Sequence, residues 1–372
     1  MSSARIFPDC VPVLTDSDRA VRLRAHAPSD LPAIVELARD PETIRYTTIP
    51  VPYDLDSARS FLADVVGPGW AGGDFRAWAI EAPLDGTPAF CGSIDLRLAG
   101  DGSAEVGFGL HPRARGRGVM SAALRLVRDH AFDTLGLAVL RWRAVVGNWG
   151  SRKVAASAGF RFDGRVRQLL HHRGEFFDGW IATLTAADPR LPLHWLEPPA
   201  LPAARFALRP FEETDLDRIV EACNDARTRH WLVSVPDPYD RAQAEEFLAG
   251  TRELAAGGQG LTWCLADPDD GRCLGSVGLD GLGGYSGRAE IGYWSHPAAR
   301  GRGLMTDAVR LVTEYAAQAG LAELIQIRCA AGNRASRHVA SAAGYTVVGR
   351  LPRAEPVGDG SREDLVLYAR AL

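Results

Sequence analysis

Apolar residues recur at helical spacing at Leu31, Ile34, Val35 and Ala38, and again at Leu216, Ile219 and Val220. Each run follows a Ser-Asp or Thr-Asp pair with N-cap chemistry, which predicts a helix after a first strand in both places. Two further helical runs are Val119, Ala123, Leu126, Val127 and Ala131, and Leu304, Ala308, Leu311, Val312 and Tyr315. The period then changes to two: Leu140, Trp142, Ala144 and Val146 alternate, mirrored by Ile325, Ile327 and Cys329, and predict strands. Glu105 to Leu110 and Glu290 to Ser295 read as short strands ending at His-Pro, because proline cannot continue an interior ladder. A short helix from Ser151 to Gly159, and another from Ser336 to Gly344, complete the pattern. The order strand, Gly-rich turn, helix, strand, helix, strand is that of an α/β unit.

The pattern is written twice. AEVGFGLHPRARGRGVM (104–120) matches AEIGYWSHPAARGRGLM (289–305), and a spacing of 185 residues persists from Glu105 and Glu290 to Gly164 and Gly349. VRLRAHAPSDL (21–31) matches FALRPFEETDL (206–216), and Trp78 matches Trp263. Each copy has the size of an ordinary domain, so the chain is a domain duplication and not a solenoid of short repeats. Prolines crowd the segment between the copies, which reads as a semi-rigid connector. The expected organisation is an N-terminal domain over 1–188, a Pro-rich linker over 189–204 and a C-terminal domain over 205–372.

The 372 residues are 46% hydrophobic and 24% charged, as in ordinary globular proteins, and the net charge of −4 advertises no nucleic-acid or membrane partner. No apolar run reaches the length of a membrane span and the first residues lack the form of a signal peptide, so a cytoplasmic protein is expected. The six cysteines, from Cys10 to Cys329, form no Cys-x-x-Cys pair; neither disulfides nor a metal site is expected.

Arg115-Gly116-Arg117-Gly118 and Arg300-Gly301-Arg302-Gly303 sit between a strand and a helix, where free amides and the helix dipole favour an anion. Glycine lets the backbone approach a pyrophosphate closely, and flanking arginines add charge-assisted hydrogen bonds. With LR-x-x-x-x-x-D-L near each start, E-[VI]-G-[FY]-x-x-H-P-x-x-R-G-x-G-x-M at each turn, and N-x-x-S followed by A-G-[FY], both halves resemble the GNAT superfamily of acyl-CoA-dependent N-acyltransferases. They are similar to the RimJ/RimL branch of ribosomal-protein N-acetyltransferases. The resemblance implies two tandem GNAT-like domains, each a mixed, mostly antiparallel twisted sheet flanked by helices.

It also implies acetyl-CoA, or another acyl-CoA, as the acyl source. The pantetheine arm would be held near Leu110 and His111, the pyrophosphate by Arg115 to Met120 including Val119, and the thioester near Asn148 and Ser151. In the second copy these are Ser295 and His296, Arg300 to Met305 including Leu304, and Asn333 with Ser336. Arg113 supplies the family's leading basic residue and Ala298 does not, which predicts tighter binding and most of the turnover in the first copy. The tyrosine that many members use to protonate the leaving thiolate is replaced by Ala155 and Ala340.

Acyl transfer to an amine that is mostly protonated at neutral pH needs a base. Glu105 and Glu290 open the strands leading to each turn and are the candidates, or else structural carboxylates. Ser151 and Ser336 are candidates for donating to the departing sulfur, or else helix-terminal hydroxyls. His171 and His172 lie on the final hairpin of the first copy, either beside an acceptor or on a solvated strand face.

The expected activity is direct transfer of an acetyl group to a primary amine of a small molecule or peptide in a ternary complex. The alternatives are a CoA-binding scaffold with one or both copies inactive, and transfer of a longer acyl group.

Overall fold

The duplication is visible first in the strand order. In a computed structural model, which describes residues 11–16 and 21–372, the chain divides into two units between Leu193 and His194. Cys10 lies outside the described residues.

In the first unit the elements run β1 (Leu14–Asp16), β2 (Val21–Arg24), α1 (Leu31–Arg39), α2 (Pro41–Tyr46), α3 (Leu55–Ser60), α4 (Gly67–Gly72), β3 (Phe75–Leu84), β4 (Thr87–Leu98) and β5 (Ser103–Leu110). Then come α5 (Val119–Asp129), β6 (Val139–Val145), α6 (Trp149–Ser157), β7 (Arg161–His172) and β8 (Glu175–Thr185). The second unit repeats them as β9 (Leu201–Pro202), β10 (Ala207–Arg209), α7 (Leu216–Asn224), α8 (Ala226–Trp231), α9 (Arg241–Ala256), β11 (Gly260–Ala266), β12 (Cys273–Asp280) and β13 (Arg288–Ser295). α10 (Leu304–Gln318), β14 (Leu324–Ala330), α11 (Arg334–Ala342), β15 (Thr346–Pro356) and β16 (Arg362–Ala371) complete it.

Among the described residues each unit forms one eight-stranded sheet, with orders β1-β2-β3-β4-β5-β6-β8-β7 and β9-β10-β11-β12-β13-β14-β16-β15. Only β5 with β6, and β13 with β14, pair in parallel among these neighbours. These are the mixed, mostly antiparallel sheets that the family resemblance implies.

Alternation along β3 explains the layering. Trp78 and Ile80 join the core under α5 with Leu124, Val127 and Trp142, while Ala77 and Ala79 face the opposite cluster built from α1, α3 and Leu62. Trp263 takes the place of Trp78 in the second unit. Both rings are fully buried, and their indole N–H groups donate to the carbonyls of Pro12 and Pro199 at 3.0 and 2.8 Å. That second contact lies in the segment read as a linker.

Residues 189–204 do not stand as a free spacer, because the two units share them. The Leu193 amide donates to Ala156 of the first unit, the Leu196 amide to Ala255 of the second, and Leu201–Pro202 forms edge strand β9 against β10. Proline fits there because an edge residue needs no ladder donor on its outer side.

α1 and α7 begin where the Ser-Asp and Thr-Asp pairs predict, but each aspartate caps the short turn before its helix and not the helix itself, and also binds an arginine. Asp30 takes both Arg24 nitrogens at 2.7 and 2.9 Å and the Ala27 amide at 2.8 Å. Asp215 repeats this with Arg209, at 2.8 Å twice, and the Glu212 amide at 2.9 Å. Cys264 and Cys273 bring their sulfurs near Asp215, whose oxygens these donors already occupy. Removing one member of a buried pair leaves the other charge uncompensated. Asp215→Ala is therefore expected to destabilise the second unit by about 3 kcal/mol, read as a lower urea midpoint of that unit's transition.

Candidate active site

Each sheet opens a wedge at its parallel pair. β5 and β6 are registered only from Ser103 to Val106 against Val139 to Trp142, and β13 and β14 only from Arg288 to Glu290 against Leu324 to Gln326. Beyond those residues the strands part, and the Gly-rich turn carries the chain from the wedge into α5 or α10. Gly116 and Gly118 both have φ of +72°, and Gly301 and Gly303 have +73° and +74°. That left-handed backbone is costly for residues with a Cβ. A Cβ added at Gly116 or Gly301 would meet nothing within 4 Å, so these glycines answer to backbone conformation and leave the turn's surface open. The first amides of α5 (Val119, Met120) and α10 (Leu304, Met305) follow directly and lack intrahelical acceptors, as at any helix start.

The arginines of the turn divide in a way the sequence did not suggest. The Arg115 guanidinium reaches Asp40 at 2.5 Å and Glu42 at 2.7 Å, and Arg300 reaches Asp225 at 2.5 Å and Thr228 at 2.8 Å. They anchor the turn to α2 and α8, whose N-caps are Asp40 and Asp225. These ion pairs hold both aspartates below the usual carboxylate range. Arg117 and Arg302 are exposed and remain the nearer candidates for an anion. Arg113, expected to favour the first copy, is exposed and pairs with Asp85 at 2.6 Å.

Leu110 and Ser295 end their strands in register with Gly92 and Gly275. The His111 and His296 amides are used in bonds to Cys91 and Leu274. Their rings accept the amides of Arg113 and Ala298 at Nδ1 and reach Glu36 and Glu221 at 3.2 and 3.0 Å through Nε2. Both histidines thus brace the turn. Asn148 and Asn333 cap α6 and α11 by accepting the amides of Ser151 and Ser336, each at 3.1 Å, which accounts for the N-x-x-S spacing.

The candidate bases separate sharply. Glu105 lies opposite Arg97 on β4 and is gripped by Arg97 at 3.3 Å and Arg143 at 2.5 Å. Glu290 lies opposite Asp280 on β12, with Arg328 no nearer than 4.0 Å. Burial, together with Asp280 and Glu355, pushes the Glu290 carboxyl above the usual glutamate range, against the pull of Arg328. One cross-strand residue, arginine in one copy and aspartate in the other, reverses the local field.

The serines differ too. Ser151 accepts the Trp142 indole N–H at 3.0 Å. Ser336 lies 3.0 Å from the Tyr293 hydroxyl and 3.1 Å from the Cys329 sulfur. The corresponding residues of the first copy, Phe108 and Ala144, offer no polar atom. At the wedge mouth of the first unit, the Tyr46 hydroxyl ties α2 to Gly147 in the loop after β6 at 3.1 Å. Arg173 of the final hairpin donates to the carbonyls of Ile44 and Ile49. Trp231 stands in place of Tyr46 in the second unit and lines a cavity of about 720 Å³, within the range of small-molecule sites. Glu290, Tyr293, Trp294, Cys329, Ser336 and Glu355 share that cavity with Gly301 and the start of α10.

His172 is buried and stacked on Phe177 at 4.2 Å, whereas His171 is exposed beside Phe176 on a solvated strand face. Trp231 was read as core or pocket wall and lines the cavity, while Tyr293, Cys329 and Glu355 were not singled out for the site by sequence reasoning. The signal for Tyr293 and Cys329 lay in the differences between the copies.

The family model for the acetyltransferase (GNAT) domain matches residues 20–161 and 205–346. The Bacillus subtilis (strain 168) protein described as "Putative ribosomal N-acetyltransferase YdaF" is 29% identical over 167 residues, covering 44% of this chain and 90% of that protein. The ribosomal-protein-serine acetyltransferase of Escherichia coli (strain K12) is 30% identical over 99 residues, 27% of this chain and 55% of that protein. A solved structure of RimL, described as a ribosomal L7/L12 alpha-N-protein acetyltransferase in complex with coenzyme A, aligns with TM-score 0.43 and 21% identity over 47% of this chain and 98% of that one.

Proposed function

Because the chain belongs to the acetyltransferase (GNAT) family, twice over, and is an acyltransferase, we propose that it transfers an acetyl group from acetyl-CoA to a primary amine and that its second unit carries the turnover. The single observation behind the second clause is Glu290: a carboxyl raised by its surroundings at the edge of an open cavity, where Glu105 is clamped between two guanidiniums.

A base works when it is free to accept a proton near operating pH. Glu290 is shifted toward that condition, whereas two arginines hold Glu105 in ion pairs. In the proposed reaction the amine nitrogen attacks the thioester carbonyl as Glu290 takes its proton. The Gly301–Gly303 turn and the amides opening α10 hold the pyrophosphate, with Arg302 beside them. No acyl-enzyme is needed, since attack is direct.

The acceptor proposed is the free amine of a peptide or protein N-terminus, on the strength of curated relatives named for ribosomal proteins. Small amines are the competing class. Among the described residues no helix is long and apolar enough to cross a membrane.

The test is CoA release from acetyl-CoA with a panel of N-terminal peptides, polyamines and amino sugars, with mass spectrometry of each amine. The expected result is release coupled to gain of one acetyl group by at least one peptide. CoA binding with no release for any amine would favour the scaffold alternative, and faster release from a longer acyl-CoA would favour that acyl group.

A further inference from the structure

We propose that Tyr293 supplies the proton that the departing thiolate needs, with Ser336 as the group that hands it over. This rests on the reading that the second unit turns over, and it fills the role left open by Ala340.

When the amine attacks, a C–N bond forms, the C–S bond breaks and its electron pair stays on sulfur. An alkyl thiolate released near neutral pH ends as the thiol, so a proton must reach the sulfur. Ser336 faces the cavity, but an aliphatic hydroxyl gives up a proton only if another arrives as it leaves.

Its neighbours are on the page. The Tyr293 hydroxyl donates to the Ser336 carbonyl at 3.1 Å and lies 3.0 Å from Ser336 Oγ, a contact in which either oxygen can donate, and it lines the same cavity. Passage from Tyr293 to Ser336 to sulfur leaves CoA as the thiol and tyrosine as tyrosinate, which recovers its proton from solvent. The proton held by Glu290 returns to solvent, and the balance is amine plus thioester giving amide plus thiol.

The difference between the copies supports the assignment. In the first copy, where Glu105 is clamped, Phe108 replaces Tyr293 and the serine is occupied by Trp142. The relay is present where the free base is present and missing where it is not. Cys329, 3.1 Å from Ser336 Oγ, is the other possible proton source, and the experiment separates it.

Tyr293→Phe is suited to the test because the first unit already folds with phenylalanine at this place. The variants Tyr293→Phe, Ser336→Ala, their double and Cys329→Ala are compared with wild type. The measurements are acetyl-CoA turnover on the amine giving fastest release, and calorimetric binding of CoA. Tyr293→Phe is expected to lower kcat about 10²-fold, with KM for acetyl-CoA and CoA affinity unchanged. The double variant should lose no more than Ser336→Ala alone, because members of one relay are not additive.

Full kcat in Tyr293→Phe, additive losses in the double, or a loss confined to KM would each overturn the relay. So would loss of kcat in Cys329→Ala with Tyr293→Phe intact. A wild type that binds CoA and acetylates no amine overturns the underlying reading instead, and the relay with it.

Discussion

Glu290→Gln is expected to lower kcat for acetyl transfer by about 10²–10⁴-fold, while Glu105→Gln leaves it unchanged. The two glutamates occupy the same place in the repeat, and their neighbours set them apart. Arg97 and Arg143 hold Glu105 in ion pairs, and burial, with Asp280 and Glu355, pushes the Glu290 carboxyl above the usual glutamate range. Because the base works only when ionised, kcat/KM should rise with pH through this raised value, and its acid limb should lie above the ordinary glutamate range.

Stability moves the opposite way. A carboxyl whose folded pKa is raised binds more protons folded than unfolded, so its ionisation costs stability as pH climbs from the unfolded value through the folded one. Glu290→Gln should therefore lose turnover and hold or gain stability at neutral pH. A shared fall in both would mark misfolding and not a missing base, and unchanged turnover would remove Glu290 from the reaction.

Gly301→Val carries the second large effect. At φ of +73° a β-branched residue is strained by about 1–3 kcal/mol, and its isopropyl group projects into the open space that an anion must approach. CoA affinity at that site is expected to fall about 10–100-fold, with turnover lost at ordinary acetyl-CoA concentrations. Gly116→Val changes the matching residue of the first turn, which has the same backbone conformation. Calorimetry is expected to give two CoA per wild-type chain and one for either variant, with turnover lost only in Gly301→Val. Loss of turnover in Gly116→Val alone would place the chemistry in the first unit.

Much of the architecture was legible from sequence. The switch from helical spacing at Val119–Ala131 to alternation at Leu140–Val146 marks α5 and β6, and the constant spacing between Glu105 and Glu290 marks the duplication. The start of the second copy was less legible. Pro198, Pro199 and Pro202 read as a connector, yet an edge strand tolerates proline, and the Pro199 carbonyl that anchors Trp263 leaves no mark in a hydrophobic pattern.

The turn glycines were legible because left-handed backbone selects them. The occupation of Arg115 and Arg300 was not, since their partners Asp40 and Asp225 lie on helices distant in the chain. The difference between the glutamates was hidden for a similar reason. Arg97 and Asp280 acquire their meaning from strand register, and the spacing between the copies drifts between the anchors, so the letters do not align them. Arg113 pointed to the first copy by its presence in the turn, and its pairing with Asp85 was not legible.

The central claim, that acetyl transfer belongs to the second unit, is tested most directly by the Gly116→Val/Glu105→Gln double variant, which disables the first turn and the first glutamate together. Its rate of CoA release on an accepted amine should equal that of wild type; a rate reduced to half or less would show that the first unit works too.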